Sequence, residues 1–173
     1  MPGVSDPDSF DDDFAPSKGA KQRPGLSLKA RAVALLSRRE HSRAELARKL
    51  APHAQDADDV SRVLDALSAE GWQSDDRYVQ GLVHRKAPGH GAARVAQELR
   101  QQGIDEGAIA QVRQSLRETE LDRAIAVWRK RFGAVGLPSD QAGYARQGRF
   151  LVSRGFSHDV IHKVLRSLPE SDQ

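Results

Sequence analysis

Apolar residues recur along this chain at spacings of three and four, separated by alanine-rich polar stretches. Val60, Val63, Leu64 and Leu67 fall at i, i+3, i+4 and i+7, which puts them on one stripe of a helix. Ile161, Val164, Leu165 and Leu168 repeat that stripe near the C-terminus. Seven further stretches carry shorter versions of it, so the pattern predicts nine helices. The first starts at Leu28, carries Val33, Leu35 and Leu36, and ends at Arg38 and Arg39. Ser42 and Glu45 have the spacing of a capping box. They open a second helix bearing Leu46 and Leu50, which Pro52 ends. Asp56 caps the third, and Gly71 closes it. Asp75 or Asp76 caps the fourth, with Tyr78, Val79, Leu82 and Val83 inward, and Pro88 and Gly89 break it. The fifth holds Val95 and Leu99 and stops at Gly103. Asp105 caps a sixth that turns Ile109, Val112 and Leu116 inward. A seventh spans about 120–132, and residues 133–138 form a loop. The eighth covers about 139–154, Ser157 caps the ninth, and Pro169 ends the order.

The nine helices fall into three groups of three. Residues 31–39, RAVALLSRR, align without a gap with 123–131, RAIAVWRKR. Asp76-Arg77 matches Asp122-Arg123, and Leu82 matches Leu36 and Trp128. Leu99, Gly103, Ile109, Val112 and Leu116 correspond to Leu151, Gly155, Ile161, Val164 and Leu168. Arg113 breaks the match, since Leu64 and Leu165 hold its place. The fold expected is therefore all-α: an elongated tandem array of three three-helix, helix-turn-helix-like repeats. The repeats cover 28–73, 74–118 and 119–168. Residues 1–27 form an acidic tail, and 169–173 a short disordered end. The tail is rich in Pro, Ser, Gly and Asp, with Asp11-Asp12-Asp13 between Phe10 and Phe14. It has too little apolar surface to offset its ordering entropy.

Composition narrows the chemistry. Aromatic residues make up 5% of the chain and there are no cysteines, which excludes disulfides and thiolate metal sites. No apolar run approaches the ~20 residues of a membrane span. No basic segment precedes an apolar one at the N-terminus, as a signal peptide requires. A cytoplasmic protein is expected. The net charge is +3, yet residues 1–27 hold five aspartates against three Lys or Arg. The helical body is thus modestly basic, which suits nucleic acid or another polyanion.

No constellation marks a catalytic site. Asp75 and Asp76 are neighbours that diverge by about 100° on a helix. Gly89-His90-Gly91 lacks the Gly-Lys-Ser/Thr ending of a phosphate loop. His158 and His162 share a helical face, but the sequence supplies no third metal ligand. No catalytic residue, cofactor or metal is expected. Trp72 and Trp128 are expected to fill gaps between helices. The functional candidates are basic. Arg38, Arg39, Arg85, Lys86, Arg129, Lys130 and Arg131 sit at equivalent ends of the first helix of each repeat. Arg94, Arg100, Arg146, Arg149 and Arg154 lie on or end the middle helices. Arginine forks suit phosphate and carboxylate partners. Cations at helix C-termini are also favoured by the macrodipole alone, so partner contact and solvated surface both remain open.

Residues 75–104 read DDRYVQGLVHRKAPGHGAARVAQELRQQGI. Paired aspartates, Arg-Tyr, a basic helix end, a glycine turn and QELRQQGI together resemble the middle module of the RecX family of bacterial recombination regulators. The third module resembles it through Gln147-Gly148-Arg149-Phe150-Leu151, Arg154-Gly155-Phe156-Ser157, Ile161 and Val164. The first does so through residues 31–50, so the resemblance covers 28–168. Family members often carry Asn-Asp at Asp75-Asp76. His90 within the turn and the acidic tail are departures too. The resemblance implies a non-enzymatic protein that lies in the groove of the RecA–DNA filament. It would inhibit ATP hydrolysis, strand exchange and coprotease activity, and so modulate homologous recombination and the SOS response. It implies a RecA filament as partner, single- or double-stranded DNA contacted weakly or through the filament, no membrane, and a monomer. A helix-turn-helix transcriptional regulator is the alternative, suggested by SRAELARKL at 42–50. Its recognition helix, 56–70, would carry five acids against Arg62 alone, which opposes entry into a DNA groove.

Overall fold

The computed structural model describes residues 25–166, and among these every regular element is helical. The helices are α1 (Leu28–Leu36), α2 (Arg43–Leu50), α3 (Ala57–Ala69), α4 (Asp75–Lys86), α5 (Ala92–Gln101), α6 (Glu106–Arg117), α7 (Glu120–Phe132), α8 (Gln141–Ser153) and α9 (His158–Arg166). The expectations for the acidic tail, for Leu168 and for the stop at Pro169 lie outside the described residues. α2 stops at Leu50 and α4 at Lys86, each two residues before the proline expected to end it. Each proline sits in a short 3-10 turn, Ala51–His53 after α2 and Ala87–Gly89 after α4, where its fixed φ is tolerated.

Short polar side chains set most helix starts. Ser27, Ser42, Asp56, Asp105 and Asp140 each accept a hydrogen bond from a backbone N–H of the first turn, satisfying a donor that has no partner within the helix. The expected cap of α4 needs correction. Ser74, not Asp75 or Asp76, caps it, through a 3.3 Å bond from Arg77 N. Asp75 turns sideways instead. Its carboxylate accepts from the backbone N–H of Arg43, at the start of α2, at 2.8 Å. One module thus supplies a cap to its neighbour. The eighth helix begins at Gln141 rather than Ser139, because Asp140 takes the cap.

Three hydrophobic clusters form, one per module. Leu46, Leu50, Val60, Leu64 and Leu67 centre the first. Tyr78, Leu82, Val95, Leu99 and Ile109 centre the second. Trp128, Phe132, Leu151, Ile161 and Val164 centre the third. Each fully buried Leu contributes about 1.5–3 kcal/mol by transfer alone. In α1 the fully buried residue is Ala32, while Val33, Leu35 and Leu36 are half-buried around it. Arg113 is exposed, and Ile109 and Leu116 carry the core contact of α6. The tryptophans differ. Trp128 is buried, and its indole N–H donates to Gln147 Oε1 at 2.7 Å. Trp72 does not fill a gap, since it is 47% exposed. Its carbonyl is what the fold uses, as an acceptor for Arg77 at 2.9 Å.

Equivalent arginines tie the modules together. Arg77, in the first turn of α4, donates to Glu40 Oε1 at 2.7 Å and to the carbonyls of Gly71 and Trp72. Arg123, in the first turn of α7, donates to the carbonyls of Ala87 (2.9 Å), Leu116 (2.8 Å) and His90. Both grip backbone carbonyls of the preceding module, and five fixed donors suit Arg for that work. Burial lowers the Arg123 pKa, and the Glu120 charge opposes that shift. Two backbones also approach closely. Gly155, at φ +84°, would place a Cβ 2.6 Å from Arg94 N, and a Cβ on Gly91 would sit 2.0 Å from the Gly155 carbonyl oxygen. Gly91 N donates to Arg154 O across the same junction at 2.9 Å. At the first junction Ser42 Oγ donates to Gln102 O at 2.8 Å.

Candidate polyanion interface

The twelve candidate cations do not share one environment. Arg38 and Arg39 lie past the end of α1, in the turn that follows it, rather than in its last turn. Arg39 forms a fork with Glu45, Nη1 to Oε2 at 3.0 Å and Nη2 to Oε1 at 2.5 Å. That hydrogen bond raises the Arg39 pKa. Burial pushes the Glu45 carboxyl up, but Arg39 and the nearby His41 more than offset it and hold the group below the usual carboxylate range. Lys86 pairs with Glu98 at 3.1 Å. Arg100 forks onto Glu106 at 2.5 and 2.9 Å, which raises the arginine and lowers the carboxylate. Arg94 donates to Gln97 at 3.3 Å, and its backbone abuts Gly155. Arg85 is exposed, with no ion-pair partner among the described residues.

The third module treats its cations differently. Arg129, Lys130 and Arg131 occupy the last turn of α7, where the macrodipole favours them. Arg146, Arg149 and Arg154 follow on and just after α8. None of the six meets a carboxylate among the described residues, where every ion pair belongs to the first two modules. Three of the six converge. Lys130, Arg131 and Arg154 rim a groove of about 490 Å³ floored by Ala126, Val127 and Phe150 and bounded by Pro88 and Gly89 of the second module. The Arg154 guanidinium lies 5.2 Å from the Phe150 ring centroid, and Arg131 lies 5.8 Å from that of Phe132. Both distances allow cation–π attraction. Cations over an apolar, aromatic floor suit an anion that carries a flat or apolar body.

Arg129, Arg146 and Arg149 are exposed outside this groove, and Arg38 borders a different one on the first module. Phe150 was not a candidate from sequence, although it stands four residues before Arg154, which is one helical turn. Arg123 was missed as a functional position, yet its alignment with Arg77 and Arg31 was the available signal. The glycine turn around His90 holds no ligand-like cradle. The His90 carbonyl accepts from Arg123, and its Nδ1 lies 3.1 Å from Lys86 O. On α9, His162 Nδ1 lies 2.6 Å from the Tyr144 hydroxyl. No group of three or more His, Cys, Asp or Glu with metal-holding geometry occurs among the described residues, and no helix among them is long and apolar enough to cross a membrane.

Three modules with separate cores, laced by arginines and backbone contacts and bearing cations on open grooves, define a tandem three-helix repeat protein. The chain belongs to the RecX family. Residues 29–67, 74–112 and 118–165 match the family's first, second and third three-helix domains. It is 53% identical over 147 residues to the regulatory protein RecX of Leptothrix cholodnii, covering 85% of this chain and 92% of that one. It is 48% identical over 147 residues to the regulatory protein RecX of Ralstonia nicotianae, covering 85% and 91%. In fold it is similar to the crystal structure of RecX from Lactobacillus salivarius. That likeness has a TM-score of 0.69 at 20% identity and covers 80% of this chain and 92% of that one. A second structure, of a regulatory protein RecX, gives 0.67 at 21% identity and covers 79% and 72%.

Proposed function

We propose that this chain is a non-enzymatic regulator that binds the RecA–DNA filament. It inhibits RecA ATP hydrolysis, strand exchange and coprotease activity, and so tempers homologous recombination and the SOS response. It acts in the cytoplasm as a monomer and needs no cofactor. Membership of a family whose curated relatives are named regulatory proteins supports this reading. The observation that carries it is the unpaired basic surface of the third module, centred on Lys130, Arg131 and Arg154. Unpaired cations keep their field and attract a polyanion, whereas paired ones cancel locally. Arg129, Arg146 and Arg149 are exposed on the same module, and Arg38 and Arg85 add exposed cations on the first and second. Arg39, Lys86, Arg94 and Arg100 contribute less, since carboxylates or an amide already occupy their donors.

The experiment is DNA-dependent ATP hydrolysis by RecA, titrated with this chain. Hydrolysis is expected to fall as the chain is added. The triple variant Lys130→Glu, Arg131→Glu, Arg154→Glu should require about tenfold more protein for the same effect, with an unchanged helical circular dichroism spectrum. Unaltered hydrolysis at saturating chain, with none of it sedimenting with filaments, would sink the reading.

A further inference from the structure

A second groove, of about 280 Å³, lies on the first module between α1 and the end of α2. Ala34, Leu35 and Leu50 give it an apolar floor. Arg31, Arg38, Lys49 and His53 surround that floor, and none of its lining side chains is acidic. Arg38 is exposed and has no ion-pair partner among the described residues. The chain enters the fold at this groove. Arg31 Nε donates to the Leu26 carbonyl at 3.0 Å, and Leu26, 63% exposed, lies on the rim.

We propose that residues 10–14 of this chain, Phe-Asp-Asp-Asp-Phe, dock in this groove and withhold Arg38 from an anionic partner. The complementarity has two parts. Three consecutive aspartates complement a lining that has three cations, Arg31, Arg38 and Lys49, and no acidic side chain, although Lys49 Nζ also lies 3.9 Å from Glu45 Oε1. The flanking Phe10 and Phe14 offer the aromatic groups that an apolar floor of this size accepts. Reach is ample, since residues 15–24 separate the motif from the rim, and ten extended residues span up to about 33–36 Å. Loop closure over so short a segment costs little, so the tether would present residues 10–14 to the groove at high effective concentration. The docking itself stands apart from the RecA reading. The withholding of Arg38 rests on it, because it needs an anionic partner to withhold from.

The test uses the full chain labelled with ¹⁵N. Two variants are compared with the parent: Asp11→Asn, Asp12→Asn, Asp13→Asn, and Phe10→Ser, Phe14→Ser. Neither variant changes a residue of the three cores that the described residues form. Each is expected to shift the backbone amides of Leu35, Arg38, Leu50 and His53, equally at low and high protein concentration. No shift beyond residues 1–27 overturns the docking. Shifts at Lys130 and Arg131 overturn it in favour of the groove on the third module. Shifts that grow with concentration mean that a second copy supplies the tail, which also overturns it. The second measurement is fluorescence anisotropy with a labelled single-stranded oligothymidylate. Both variants should bind about two- to fivefold tighter, the scale of releasing one exposed charge pair. The phenylalanine variant leaves net charge unchanged. Tightening by the aspartate variant alone therefore reduces the effect to bulk charge and overturns the withholding. If neither parent nor variants bind the oligonucleotide, the polyanion reading of the previous section fails, while the amide shifts still decide the docking.

Discussion

In the first module Arg39 meets Glu45, Arg43 meets Asp65, Arg62 meets Asp59 and Lys29 meets Glu70. In the third, Arg129, Lys130, Arg131, Arg146 and Arg149 meet no carboxylate among the described residues. The backbone plan is the same in both, with three helices around one apolar cluster. Composition contributes to the contrast. Residues 28–73 hold eight Lys or Arg and seven Asp or Glu, while 119–166 hold nine and four. Most of the first module's pairs are solvent-exposed and each contributes little to stability. Their main consequence is that the first module is nearly neutral in sum, with uncompensated cations at the groove around Arg38, while the third is positive. Repeats that share a fold are therefore not interchangeable surfaces. What distinguishes them is the supply of acids, not the placement of bases.

The third module's groove is completed by Pro88 and Gly89 of the second, and the largest effect should come from breaking that junction. Gly91→Ala would drive a methyl into the Gly155 carbonyl at 2.0 Å. A loss of about 3 kcal/mol or more is expected by chemical denaturation, with the third module's amides exchanging first. Next comes the pair of arginine straps. Arg123→Ala removes the arginine donor from the carbonyls of His90 and Leu116 and one of two donors from that of Ala87 and should cost about 2 kcal/mol. Arg77→Ala strands fewer and more exposed groups and should cost about 1 kcal/mol. Equal costs in thermal melts would mean that the two junctions are alike.

The smallest effect concerns pH and singles out the first module. Glu45 is held below its ordinary value near 4.3. A carboxyl with a depressed folded pKa adds stability that is fully present above the unfolded value. That stability is lost as pH falls through the folded one. Stability should therefore be level above about pH 5 and decline below about pH 4. Glu45→Gln should lower stability at pH 7 by about 1 kcal/mol and flatten the part of the acid decline that Glu45 contributes. Urea midpoints across that range check it. An unchanged slope in the variant would assign the decline to other carboxylates.

Core stripes were the most legible feature. Val60, Leu64 and Leu67, or Ile161, Val164 and Leu165, declare a buried face because helical spacing fixes which side chains share it. The alignment of residues 31–39 with 123–131 exposed the repeat for the same reason. Caps were read less well. Ser74 stood beside two aspartates in sequence, and only the position of α2 explains why Asp75 serves Arg43 rather than its own helix. Trp72 read as core because of its size, but nothing local in the sequence says that the chain leaves the first module there.

The candidate site divides in the same way. Sequence alone determined the helical class, the threefold repeat, the basic body and the cations themselves, because each depends on spacing or composition within a short window. Only the tertiary structure decided which cations are neutralised and which converge. Arg39 reaches Glu45 across a turn, Arg100 reaches Glu106 across another, and Lys130, Arg131 and Arg154 assemble from two helices around Phe150. Charge pairing acts over a few ångströms in space, and distance along the chain does not determine it.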